Sequence, residues 1–216
     1  MSNLYIFDLD GTLINSSDQI LSALNFTLGS NGLPIQTRAH IIPLIGLPPA
    51  NFLSKLDLSS GEIKNLVKEF REKLLEISLE NVTFYDGAVE LLSYLREKGN
   101  YTSVATNKPT DLAEAILRGT EIWSLLDYVV GSDGIRPKPA PDIIDKTLKH
   151  FNLQGIHPDK FFMIGDRNED IESGRQGGAS CIFIEHSGHE LAAESITAGT
   201  PSFRSLWDYY KFVSLK

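Results

Sequence analysis

The chain is predicted to form an α/β fold, a doubly wound and mostly parallel sheet with an all-helical cap inserted after the first strand. Two observations predict it. Short apolar runs alternate with helical patterns through most of the sequence, and one long stretch near the start carries helical patterns with no convincing strand.

The apolar runs lie at residues 4–9, 101–106, 128–131, 161–165 and 181–185. Each is rich in aromatic or β-branched residues and ends at polar or glycine positions. Continuous apolar runs of this length suit parallel strands covered on both faces. Helical patterns fall between them at about 88–98, 109–118, 140–151 and 169–177. That alternation calls for an open α/β sheet. From Ser205 the tail reads as a closing amphipathic helix with its aromatic residues packed on the sheet.

The strand-free stretch runs from Ile14 to Val82, with helices expected at about 17–30, 37–45, 49–56 and 59–80. The last is the clearest, because Ile63, Leu66, Val67, Phe70, Leu74 and Ile77 recur at helical spacing. An insert directly after the first strand sits above that strand's C-terminal end, where open α/β sheets bind ligands. The expected organisation is therefore a core of residues 1–14 and 83–216 and a lid-like helical cap of residues 15–82.

Composition narrows the class. The 216 residues are 42% apolar and 22% charged, ordinary soluble usage. A net charge of −8 argues against nucleic acid as a main partner, which needs a basic footprint. The start lacks a basic segment before its first acid, so no signal peptide is expected, and no run approaches a membrane span. The only cysteine, Cys181, sits in an apolar run and reads as buried filler. A cytoplasmic protein is expected.

The segment Phe7-Asp8-Leu9-Asp10-Gly11-Thr12-Leu13 carries most of the chemistry. Side chains two apart on a strand face the same way, so Asp8 and Asp10 leave the strand end together, and Gly11 lets the backbone turn. Two carboxylates facing one cavity repel unless a cation lies between them or one takes a proton. Aspartate oxygens suit magnesium, and a carboxylate can attack phosphorus to form an acyl phosphate. A capping or turn pair is the bland alternative. Chance would place Asp-x-Asp-Gly-Thr in a chain this size on the order of once in several hundred.

This segment resembles the first motif of the haloacid dehalogenase superfamily of phosphohydrolases. The resemblance implies a Rossmann-like core, Asp8 as nucleophile and Asp10 as general acid and base. It also implies magnesium held by an Asp8 oxygen and the Asp10 main-chain carbonyl. Later strand ends carry matching pieces. Thr106-Asn107-Lys108-Pro109 resembles the second motif, with Thr106 and Asn107 as phosphate ligands, although Thr-Asn before a helix is more often a simple cap. Arg136-Pro137-Lys138-Pro139 resembles the third, with Lys138 neutralising phosphate charge and Arg136 equally readable as a surface cation. Gly165-Asp166-Arg167-Asn168-Glu169-Asp170 resembles the fourth, with Asp166 a metal ligand and Asp170 a ligand through water or a supporting partner. A helix N-terminus favours carboxylates in any case.

The match spans residues 4–185, and the insert position fits the family's helical cap of the first type. Within the family, Thr-Asn-Lys-Pro and Lys-Pro-Ala-Pro are similar to phosphoglycolate phosphatases; Arg38, Gly46 and Phe70-Arg71 fall loosely where those carry cap residues. Two positions depart. Relatives often have serine at Arg167, which here either favours a more anionic substrate or pairs with Glu169, and aspartate at Asn15. The implied activity is magnesium-dependent hydrolysis of a small phosphomonoester, phosphoglycolate-like in kind, by a monomer or homodimer with no membrane partner. A phosphosugar mutase, a dehalogenase, a phosphonate-cleaving enzyme using Lys55 or Lys64, and a non-catalytic binding module are the competing readings. The five histidines do not cluster, and His186 and His189 are expected in solvent; Gly174, Gly177 and Gly178 read as helix termination.

Overall fold

The computed structural model describes residues 2–54, 58–186, 189, 190, 192, 195 and 198–215, with the backbone alone for Phe52. Six parallel strands form one sheet in the order β3-β2-β1-β4-β5-β6. They are β1 (Leu4–Phe7), β2 (Tyr101–Ala105), β3 (Tyr128–Val130), β4 (Phe161–Gly165), β5 (Ser180–Ile184) and β6 (Ser202–Phe203). β1 is central and buried at every position, which is why it shows no polar alternation. Its two faces feed different cores. Tyr5 and Phe7 pack with Leu91, Leu92 and Ile164, whereas Leu4 and Ile6 pack with Ile143, Ile144 and Phe151. The two-residue edge strand β6 is too short to leave a pattern in the sequence.

Helices connect and cover the strands: α5 (Ala88–Glu97), α6 (Thr110–Arg118), α7 (Asp142–Leu153) and α8 (Asn168–Gln176). Gly174 does not terminate α8, as the sequence suggested. It lies inside the helix, where a Cβ would meet Met163 Cβ at 2.6 Å and Cys181 Sγ at 2.8 Å, so its role is to let α8 approach the sheet. The closing helix α9 (Leu206–Ser214) buries Tyr209, but Trp207 and Phe212 stay part-exposed and Tyr210 packs on Tyr94 of α5. Only part of its aromatic set therefore faces the sheet.

Between β1 and α5 the described chain is helical: α1 (Ser17–Ser30), α2 (Arg38–Ile41), a 3-10 turn (Ile42–Leu44), α3 (Ala50–Leu53) and α4 (Ser60–Glu80). The expected helix at 37–45 breaks because Pro43 enters the second turn and the backbone tightens around it. α4 starts at a reciprocal cap, in which Ser59 N donates to Glu62 Oε2 at 2.8 Å and Glu62 N to Ser59 Oγ at 3.3 Å. It packs on α1 and reaches α6 through buried Leu66, Phe70 and Leu74. The helical segment thus shares one apolar cluster with a face of the sheet. No helix among the described residues is long and apolar enough to cross a membrane.

Candidate active site

The C-terminal ends of β1, β2 and β4 and the loop after β3 meet at one place. Asp8 continues β1 by donating its amide to Ile164 O at 2.9 Å, so its position is set by the sheet itself. Asp8, Asp10, Thr106, Asn107, Lys138, Asp166 and Asp170 are all buried there. Residues up to 162 apart in the chain, from Asp8 to Asp170, converge because each strand end adjoins its neighbour.

Lys138 Nζ donates to Asp8 Oδ1 at 2.6 Å, to Asp170 Oδ1 at 2.6 Å and to Ala105 O at 2.9 Å. Burial pushes the Asp8 carboxyl up to about 7; Lys138 opposes this, while Asp170 and Asp10 add to it. Asp170 is raised for the same first reason, burial, with Asp166 adding and Lys138 opposing. Burial pulls Lys138 down, but the charges of Asp170 and Asp8 outweigh it and leave the ammonium above its usual range.

Thr12 Oγ1 donates to Asp166 Oδ1 at 2.6 Å. Gly11 is required beside it, since a Cβ there would lie 2.5 Å from Asp166 Oδ2 and the backbone has φ +89°. Gly165 plays the same part for Asp170, with a Cβ 2.3 Å from Oδ2. Ligand atoms of Asp8, Asp166 and Asp170 lie within 4.8 Å of one another. Lys138 pairs with two of these three carboxylates, and their oxygens fit a hard divalent cation that prefers oxygen.

Asp10 has its own partners. Ser16 Oγ donates to its Oδ1 and Lys108 Nζ to its Oδ2, both at 2.5 Å. Neither contact was anticipated. Lys108 lay in view within Thr106-Asn107-Lys108-Pro109, but Ser16 had no signal at all. Thr106 Oγ1 accepts from Lys108 N at 3.1 Å. The Asn107 carboxamide is spent on protein: Oδ1 accepts from Lys138 N at 2.8 Å and Nδ2 donates to Gly46 O at 3.0 Å. Arg136 is a surface cation, paired with Asp142 through Nη2 at 2.6 Å.

The helical segment closes over this site. Arg167 neither faces solvent nor sits free for a substrate. It brackets Glu169 and donates through Nη1 to Pro43 O at 3.1 Å and Ile45 O at 2.9 Å. Beneath the segment lies a cavity of about 40 Å³, lined by Asp10, Lys108 and Arg71 among apolar residues such as Leu44, Leu47 and Phe70. That is room for a few waters. On the other side of Ile45 a polar cavity of about 150 Å³ is lined by Asn15, Arg38, Tyr85, His186 and His189. Both histidines depart from the expected solvent exposure. His186 stacks on Tyr85 at 3.7 Å and its Nε2 lies 3.0 Å from Gly11 O; burial pushes it down to about 4. His189 Nε2 lies 3.9 Å from Asp166 Oδ2. Lys64 is exposed, and Lys55 lies outside the described residues. Cys181 is half-buried on β5, and burial pushes its thiol up to about 11, unsuited to nucleophilic work.

The parallel sheet gathers buried aspartates around a lysine at its strand ends. The model of the haloacid dehalogenase-like hydrolases matches residues 5–184, and the chain belongs to that family. Two of its curated relatives are named as a pyrophosphatase and a probable phosphatase. It is 30% identical over 183 residues to a pyrophosphatase, PpaX, of Bacillus cereus strain AH820, covering 84% of this chain and 82% of the other. It is 30% identical over 192 residues to a probable phosphatase, IndB, of Dickeya dadantii strain 3937, covering 85% and 81%. The solved structure of a predicted phosphatase from Clostridium acetobutylicum superposes over all of both chains with a TM-score of 0.84 at 25% identity.

Proposed function

We propose that the chain is a magnesium-dependent phosphatase that hydrolyses a small phosphomonoester or related phosphate through a phosphoaspartate on Asp8. The observation that carries this reading is the pairing of Asp8 with Lys138 beside the Asp166–Asp170 carboxylates, with Asp10 next to it in its own Ser16–Lys108 clasp. Asp8 and Asp166 would hold the cation together with the Asp10 main-chain carbonyl, and Asp170 would hold it through water or support the ligands beside it. When bound, magnesium supplies positive charge against the carboxylates and the phosphoryl oxygens.

The chain's own groups divide the work. Asp8 attacks phosphorus, and Asp10 gives its proton to the departing oxygen. Asp10 then takes a proton from the water that splits the phosphoaspartate. Lys138 offsets charge on the phosphoryl group as it moves, which is strongest in a buried site. Thr106 and the Asn107 backbone border the phosphate, while the Asn107 carboxamide fixes the Lys138 loop. Residues 15–82 act as a cap that admits substrate and then closes over it to exclude water.

The experiment is a turnover assay with magnesium and with EDTA on pyrophosphate, phosphoglycolate, p-nitrophenyl phosphate and sugar phosphates, with Asp8→Asn as control. Phosphate release that needs magnesium and disappears in Asp8→Asn is expected. Release of phosphate unaffected by Asp8→Asn, or no turnover of any member, overturns the reading; an isomerised sugar phosphate reassigns the protein as a mutase.

A further inference from the structure

Lys108 is placed by the fold with unusual care for a residue next to a helix start. Its amide donates to Thr106 Oγ1 at 3.1 Å and its carbonyl accepts from Ser132 N at 3.2 Å. Gly131, at the end of β3, makes this possible. A Cβ at Gly131 would sit 2.2 Å from Lys108 O and 2.4 Å from Thr110 N, so only glycine lets the loop after β2 press so close. Thr110 Oγ1 in turn accepts from Gly131 N at 2.9 Å. The loop is thereby turned back across the end of β1, and the Lys108 side chain, 9% exposed, ends on Asp10 Oδ2.

The two aspartates therefore have separate ammonium partners. Lys138 serves Asp8 and Asp170, deep in the core. Lys108 serves Asp10, whose other oxygen is taken by Ser16. Lys108 and Asp10 also line the apolar cavity beneath the helical segment, where Lys108 and Arg71 are the cations among the lining residues. A charge there acts through a poorly polarisable medium and is worth far more than in water.

We propose that Lys108 is a catalytic residue for the leaving group: its ammonium meets the ester oxygen as the bond to phosphorus breaks. The inference rests on the phosphatase reading above. In the step concerned, an Asp8 oxygen bonds to phosphorus and the bond from phosphorus to the leaving oxygen breaks. The electron pair stays on that oxygen, which takes the proton from Asp10. Lys108 keeps its protons throughout and donates a hydrogen bond to the same oxygen. With Lys138 on the attacking side and Lys108 on the departing side, negative charge is met at both ends of the transfer.

The test is the dependence of kcat/KM on leaving-group acidity, with aryl phosphates running from p-nitrophenyl to phenyl phosphate. Wild type, Lys108→Met and Lys108→Gln are compared in the full chain with magnesium, after thermal melting shows each variant folded. A donor aimed at developing charge is worth about 100-fold or more. Both variants should lose that much on phenyl phosphate and no more than about 10-fold on p-nitrophenyl phosphate, steepening the dependence. Lys108→Arg, which keeps a charged donor, should recover much of the loss on phenyl phosphate. Equal losses across the series, or none, overturn the proposal and leave Lys108 a tether for the loop. If Lys108→Met does not fold, Lys108→Gln and Lys108→Arg decide: parallel dependences in the two overturn it. Failure of the parent reading looks different, because wild type would then release no phosphate or Asp8→Asn would still release it.

Discussion

The guanidinium of Arg167 donates to the carbonyl of Ile45 at 2.9 Å, so a core side chain directly after Asp166 ties the helical segment to the core. Pro43 O and the Asn107–Gly46 contact complete the tie. Gly46 has φ +83°, and a Cβ there would lie 2.9 Å from Arg167 Cδ, so the segment and the arginine fit one another closely. Hydrogen bonds from a charged donor contribute roughly 1.5–3 kcal/mol. Arg167→Ser is expected to speed amide hydrogen exchange across residues 42–47 by about tenfold or more, since 1.4 kcal/mol is a factor of ten. Exchange at β1 and β4 should stay slow. Unchanged exchange at 42–47 would show that the tie carries no energy.

Asp8 and Lys138 should respond in opposite directions to neutral substitution. Removing Lys138 strands Asp8 and Asp170 as buried carboxylates without their shared cation, which costs about 3–5 kcal/mol. Asp8→Asn removes a charge from a site already crowded with them, so stability should hold or rise in the absence of metal. Urea denaturation of Lys138→Met and Asp8→Asn in EDTA compares the two. Equal destabilisation would contradict the charge balance described for the site.

Gly165 should tolerate no side chain. A Cβ would press to 2.3 Å of Asp170 Oδ2 and 2.4 Å of Asp170 Cβ, in a strand with no room to shift. Gly165→Ala is expected to lose roughly 1–3 kcal/mol by overpacking. It should also weaken divalent-cation binding, read by calorimetry with magnesium as the probe, because Asp170 must swing away. Gly119, with nothing within 4 Å of its Cβ position, supplies the control: Gly119→Ala should change neither quantity appreciably.

His186 gives the fold an acid-side weakness. Burial lowers it from 6.5 to about 4, so between these values the unfolded chain binds a proton that the folded chain refuses. Protons favour the state that binds more of them, and stability contributed by neutral His186 falls as the pH drops through that window. The melting temperature of wild type should fall more steeply from pH 6.5 to 4 than that of His186→Asn, whose side chain does not titrate. Parallel pH profiles would show that the imidazole titrates as freely when folded as when unfolded.

What the sequence by itself determined is the part written in local pattern. The positions of β1 to β5 followed from continuous apolar runs, and α4 from its periodicity over Ser60–Glu80. The acids, Thr106 and Lys138 stood out because their segments resemble the family's motifs, and the parallel sheet brings those segments together whatever lies between. Tertiary structure decided the partnerships. Asp10 with Lys108 spans 98 residues, Thr12 with Asp166 spans 154, and His186 with Gly11 spans 175. No periodicity records such pairs, because they depend on how closely loops from different strands approach, and that approach is set by missing side chains at Gly131, Gly165 and Gly11. Arg167 is the clearest case. Its charge was visible from the start, but only the packed helical segment, with backbone carbonyls left bare by a turn tightened at Pro43, decided what that charge would hold.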